Sequence, residues 1–221
     1  MKDATLRKHI LDELEFDPAV DAQHIGVSVD DGIVSLSGHV TSYAEKRAAE
    51  NAVSRVRGVR AIAEDIAIVA RQPAKVSDED IARQALAIIS WDTTIPKDKV
   101  KIRVENGWVT LDGDVDSYFQ RRNAEDAVHR LAGVEGITNR INMRIAAQPA
   151  DIHERIVAAF HRDASLDPSD IRLTAFGGKV TLDGTVHTLY ERQLAERAAW
   201  SAPGVTYVES HLRVDETAPV N

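Results

Sequence analysis

Val109-Thr-Leu-Asp-Gly113 recurs twice in this chain, as Val34-Ser-Leu-Ser-Gly38 and as Val180-Thr-Leu-Asp-Gly184. Six residues before each closing glycine stands another glycine: Gly32, Gly107 and Gly178. Twenty residues after each comes a Gly-Val pair: Gly58-Val59, Gly133-Val134 and Gly204-Val205. The chain has only 12 glycines in 221 residues, so offsets kept without insertion or deletion define an internal repeat. A repeat of this length sets the architecture before any single element is read.

Working outward from the Val-x-Leu-x-Gly core, the alternation of apolar and polar residues predicts a strand with one buried face, which the chain leaves at the closing glycine. Before it, Asp31-Gly32, Asn106-Gly107 and Gly177-Gly178 are residues that accept positive φ, which predicts a two-residue hairpin turn. A first strand precedes the turn, with Val27 and Val29, Ile102 and Val104, or Leu173 and Ala175 on one face. Farther upstream, Leu6, Ile10 and Leu14, then Ile81, Ala85 and Ile88, then Ile152, Ile156 and Phe160 mark one apolar helical face. Pro18, Pro96 and Pro168 sit in the loops that follow these helices.

Downstream, Ser42-x-x-Glu45, Ser117-x-x-Gln120 and Thr188-x-x-Glu191 read as capping boxes that open a second helix. Ala49-Glu50, Ala124-Glu125 and Ala195-Glu196 lie in its body, and Gly58, Gly133 and Gly204 are expected to stop it. A last strand leads to Ile66 and Ile68, Met143 and Ile145, or Leu212 and Val214. A helical crossover requires parallel strands, whereas the hairpin is antiparallel. The expected fold is α+β: three tandem αββαβ modules, each a small mixed three-stranded sheet with two helices packed on one face. Their expected bounds are 1–72, 76–147 and 150–217. Short Gln-Pro linkers at 71–75 and 147–150 separate them.

Composition narrows the function classes. There is no cysteine, which excludes disulfides, thiol nucleophiles and thiolate metal sites. Net charge is -8, with residues 1–73 carrying -3, 74–148 carrying -1 and 149–221 carrying -4. No module has the basic footprint of a nucleic-acid binder, and the same balance opposes broad adhesion to anionic lipid. The one local positive strip is Lys97, Lys99, Lys101 and Arg103, in the second module. No run reaches the length of a membrane span. The expected compartment is the cytoplasm if Met1 is the native start, and the periplasm if a leader has been removed.

Candidate chemistry is sparse. Asp112, Asp114 and Asp116 alternate like calcium ligands, but counting from Asp112 the sixth and twelfth positions are Ser117 and Asn123, where a calcium loop needs Gly and Glu. The run reads as a solvated strand end. His153 and His161 lie eight apart with no third ligand, and no phosphate loop or activated serine pattern occurs. No catalytic, cofactor-binding or metal-binding residue is assigned. Trp108 starts the second strand of module two on the face opposite Val109, beside Arg103 and Thr110. A neighbouring module, a membrane or another protein are the partners weighed for it. Trp200 reads as core or interface.

The recurring x-G-x-V-x-L-x-G, the capped Ala-Glu helix, the Gly-Val pair and the last strand resemble the BON domain of osmotically inducible periplasmic proteins, over essentially the whole chain. The resemblance implies a non-enzymatic, stress-associated binding or scaffolding protein that engages a phospholipid surface or an envelope partner. A potassium-type ion or small-ligand sensor and a protein–protein adaptor are the alternatives. The expected interaction surface is Trp108, Arg103, Lys97, Lys99 and Lys101, with no cofactor and no nucleic acid.

Overall fold

The computed structural model describes residues 3–69, 76–144, 152–162 and 170–215. Both Gln-Pro linkers, Pro168 and Ile145 lie outside the described residues. Module one runs α1 (Asp3–Phe16), β1 (Ile25–Asp30), β2 (Ile33–Val40), α2 (Tyr43–Arg55) and β3 (Ala61–Ile68). Module two repeats this as α3 (Asp78–Trp91), β4 (Val100–Glu105), β5 (Trp108–Val115), α4 (Tyr118–Val128) and β6 (Gly136–Met143). Module three follows with α5 (Ile152–Arg162), β7 (Ile171–Phe176), β8 (Lys179–Val186), α6 (Leu189–Ser201) and β9 (Tyr207–Val214). The α+β reading holds, with three mixed sheets in the orders β1-β2-β3, β4-β5-β6 and β7-β8-β9.

The Val-x-Leu strand is the middle strand each time. It is antiparallel to the strand before it, Leu111 facing Ile102 and Leu182 facing Leu173. It is parallel to the strand after the crossover, Thr110 facing Thr138 and Thr181 facing Glu209. Val34, Leu36, Val109, Leu111, Val180 and Leu182 are all buried. Removing each from water stabilises its module by roughly 1.5–3 kcal/mol. The helices cover this face through Leu6, Ile10 and Leu14 in α1 and through Ile152, Ile156 and Phe160 in α5. In α3 the third buried position is Ile89 rather than Ile88. A strict spacing of four keeps Ile81, Ala85 and Ile89 on one stripe, and Ile88 turns outward.

The hairpin turn ties each module together. Both turn residues have positive φ: 45° and 74° at Asp31-Gly32, 50° and 76° at Asn106-Gly107, 56° and 80° at Gly177-Gly178. In modules one and two the turn's N–H groups bond to the first turn of the preceding helix. Asp31 donates to the Asp3 carboxylate at 3.1 Å, and Asn106 and Gly107 donate to both oxygens of Asp78 at 2.7 and 2.9 Å. On the other side the turn glycine's carbonyl receives the third strand: Arg60 N–H bonds Gly32, Glu135 bonds Gly107 and Thr206 bonds Gly178.

Two local expectations are corrected. The closing glycine does not end its strand, since β2, β5 and β8 continue to Val40, Val115 and Val186. Gly38, Gly113 and Gly184 have φ of 118°, 146° and 134°, and a Cβ there would strike the carbonyl oxygen of His24, Lys99 or Asp170. Glycine is present because two backbones approach inside the sheet. The second helices stop at Arg55, Val128 and Ser201, before their glycines. Gly58, Gly133 and Gly204 instead occupy the third position of separate turns closed by Val59, Val134 and Val205 N–H groups. In the third strand of module two Ile141 is deeply buried and Met143 packs against the core more shallowly.

The caps form with a shifted return bond. Ser42, Ser117 and Thr188 hydroxyls accept from Glu45, Gln120 and Glu191 N–H at 3.2, 3.3 and 3.0 Å. The reciprocal side chains reach one residue farther back than the cap, to the N–H of Thr41, Asp116 and His187 at 2.8, 2.9 and 2.8 Å.

Replacing Gly113 with Ala is expected to destabilise the second module by about 1–3 kcal/mol or more, because it combines an unfavourable φ with a backbone clash. Urea unfolding measures this, and a wild-type midpoint for Gly113→Ala contradicts the close-approach reading.

Candidate interaction surface

In each sheet the residues between the buried ones point away from the helices and form an open face. In module two this face holds Lys101, Arg103 and Glu105 on β4, Trp108, Thr110, Asp112 and Asp114 on β5, and Gly136, Thr138 and Arg140 on β6, from the pairing register. Trp108 opens β5 and is 51% exposed. Its partner is its own sheet: the indole lies over Gly136, where a Cβ would run into the ring, and its Nε1–H donates to Thr138 Oγ1 at 2.9 Å. The polar edge of the ring is therefore satisfied, and the remaining face is apolar and open to solvent.

The predicted positive strip divides in two. Arg103 faces Thr110 and is diagonal to Trp108, and Lys101 faces Asp112, so these three share the open face. Asp112 also faces Arg140 across β6, which places one carboxylate between two cations. Lys97 and Lys99 lie in the loop before β4, and both are exposed. Lys97 lines a shallow depression of about 450 Å³ with Trp91, Ile95 and Pro96. Lys99 is tied by its backbone, its carbonyl accepting from Asp114 N–H at 3.4 Å.

The acidic run is accounted for by its neighbours. Asp114 pairs with Arg144 at 2.8 Å, and the N–H of Asp116 bonds to Gln120. Among the described residues, no group of three or more His, Cys, Asp or Glu is placed to hold a metal ion. His153 and His161 are exposed on α5. Trp200 packs against the core of module three.

Two features extend the sequence reading. Trp91 ends α3 with 86% of its surface exposed, close in sequence to the lysines. In module three the positions matching Trp108 and Gly136 are Lys179 and Tyr207. There Lys179 Nζ lies 5.6 Å above the Tyr207 ring and bonds the Glu209 carboxylate at 2.8 Å. The hydrogen bond and charge of Glu209 hold the Lys179 ammonium above its ordinary range, and Lys179 correspondingly lowers the Glu209 carboxyl. Module one has Ile33 and Ala61 at these positions. Aligning the repeat at its Val-x-Leu-x-Gly strands and Gly-Val pairs exposes the exchange.

A family model described as the BON domain matches residues 2–70, 77–145 and 149–216. The chain belongs to the BON-domain family. "Osmotically-inducible protein Y" of Escherichia coli (strain K12) is 29% identical over 119 residues, covering 52% of this chain. The matched region spans 59% of that relative's length. CdsD, described as a structural protein of the type III secretion system of Chlamydia trachomatis, aligns over 96% of this chain and 92% of its own. Its identity is 12% and its TM-score 0.27, too low to support a structural argument. Among the described residues of this BON-domain chain, no helix is long and apolar enough to cross a membrane.

A methyl group at position 136 is expected to lift the Trp108 ring from β6. Fluorine NMR of fluorotryptophan-labelled Gly136→Ala should show a shift of the resonance that is lost in Trp108→Phe, with the other two tryptophan signals in place. An unmoved resonance contradicts the stacking.

Proposed function

We propose that this chain is a non-enzymatic, osmotic-stress-associated binding protein of the cell envelope, and that it engages phospholipid surfaces through the open face of its second BON module. The observation that carries the reading is Trp108: a half-exposed indole, held flat over Gly136 with its N–H satisfied, opposite Glu105 and diagonal to Arg103, with Lys101 farther along the same face. An aromatic ring with one apolar face and a satisfied polar edge suits the boundary between headgroups and acyl chains. The bacterial relative "Osmotically-inducible protein Y" supports the link to osmotic stress.

Magnitudes limit the strength of such binding. Each Lys or Arg brought near an anionic leaflet contributes about 1 kcal/mol, so Lys97, Lys99, Lys101 and Arg103 together supply at most about 4 kcal/mol. Glu105, Asp112 and Asp114 lie on the same sheet face and oppose it. Binding should therefore be weak, salt-sensitive and dependent on the indole.

Co-sedimentation with vesicles of phosphatidylglycerol and phosphatidylethanolamine tests the proposal. Binding is expected to fall with added salt and to drop about tenfold or more in Trp108→Ala and in the Lys97→Glu/Lys99→Glu pair. No association with either anionic or neutral vesicles rejects it.

A further inference from the structure

The third strand of each module is an edge strand, and the three edges are finished differently. In β3, β6 and β9 the alternate N–H groups that face the middle strand are fixed by the bonds from Val69 to Val40, Arg144 to Val115 and Asp215 to Val186. The remaining groups, at 62, 64, 66 and 68 and their equivalents, point outward, where a free row invites another strand. Modules one and two block the row from within. Glu64 folds its carboxylate onto the N–H of Ile66 at 2.6 Å, and Asn139 does the same with its amide oxygen to Ile141 at 3.1 Å. Arg121 from α4 also reaches the carbonyl of Asn139 at 3.3 Å.

Module three has Ser210 in this place, and its buried hydroxyl makes no hydrogen bond among the described residues. Arg192, the counterpart of Arg121, is turned along its own helix to Glu196 at 2.9 Å. The edge of β9 therefore has no internal plug.

Its sequence is also complementary to itself. An antiparallel pairing of two β9 strands about a two-fold axis at Ser210 sets Val208 opposite Leu212, and these outward-facing residues exchange the hydrogen bonds. On the open face it sets Glu209 opposite His211 and Tyr207 opposite Arg213, at the closer, non-hydrogen-bonded pairs. Glu209 then meets His211 and Tyr207 meets Arg213, twice over by symmetry, beside the contacts that Glu209 and Tyr207 already make with Lys179 and that His211 makes with Asp183. The same operation on β3 sets Glu64 against Glu64.

We infer that β9 is a self-association edge, through which two copies of this chain join antiparallel strands about Ser210 in an isologous homodimer. The inference is independent of lipid engagement by module two.

Sedimentation of the full chain from about 1 µM to 1 mM should show the mass doubling with concentration. Amide exchange at Val208, Ser210 and Leu212 should slow in step with dimer formation. Ser210→Asn, which installs the plug found in module two, should raise the dimer dissociation constant at least about tenfold while keeping the thermal midpoint. Arg213→Glu changes an exposed side chain and should act in the same direction, so it decides the matter if Ser210→Asn compromises folding. A chain that is monomeric across the whole range overturns the inference. So does a dimer that neither folded variant weakens.

Discussion

Everything in this protein depends on a middle strand that is paired on both sides and buried on one face. A strand in that position has no free backbone edge, so its only freedom lies in its side chains. Valine and leucine turn toward two helices, while Ser, Thr and Asp turn toward water. Closing such a small sheet requires two local devices. One is the turn with positive φ, which binds the start of the third strand with its carbonyl and, in modules one and two, the first helix with its N–H groups. The other is the in-strand glycine, which admits a carbonyl oxygen where any side chain would collide. Modules of about 70 residues have little hydrophobic surplus, so losing either device is felt by the whole unit.

The scaffold is repeated and the open faces are not. The neighbouring pair at the start of the second and third strands is Ile33 with Ala61, Trp108 with Gly136, and Lys179 with Tyr207. In the second and third modules a large side chain lies across its neighbour, as an indole over glycine or an ammonium over phenol. The exchange keeps the sheet while changing what the face presents. The edges vary in the same way, with Glu64 and Asn139 as plugs and Ser210 as none. Any property particular to one module must reside where the copies differ.

Much of the fold was legible in the sequence because its signals are local. Hairpin turns, caps and the apolar stripes of α1 and α5 each need only a few consecutive residues. Misreadings arose where a second segment decides the outcome. Gly113 looks like a strand end until Lys99 is placed against it, and Ile88 looks equivalent to Ile89 until the helix is docked. The surface was legible in part. Trp108 belongs on the open face by alternation alone, but its seat on Gly136 and Thr138 depends on the parallel register across a crossover. Likewise, Lys101 and Arg103 form a strip in the sequence, while Asp112 and Arg140 arrive from other strands to divide it.

The central claim is that each module is held by its middle strand rather than by its helices. Native-state hydrogen exchange resolved by residue tests it most directly, since the last amides to exchange report the most stable part of a cooperative unit. The slowest amides should fall in β2, β5 and β8, around Leu36, Leu111 and Leu182. Slowest exchange in α1, α3 and α5, with the middle strands opening first, would contradict the account.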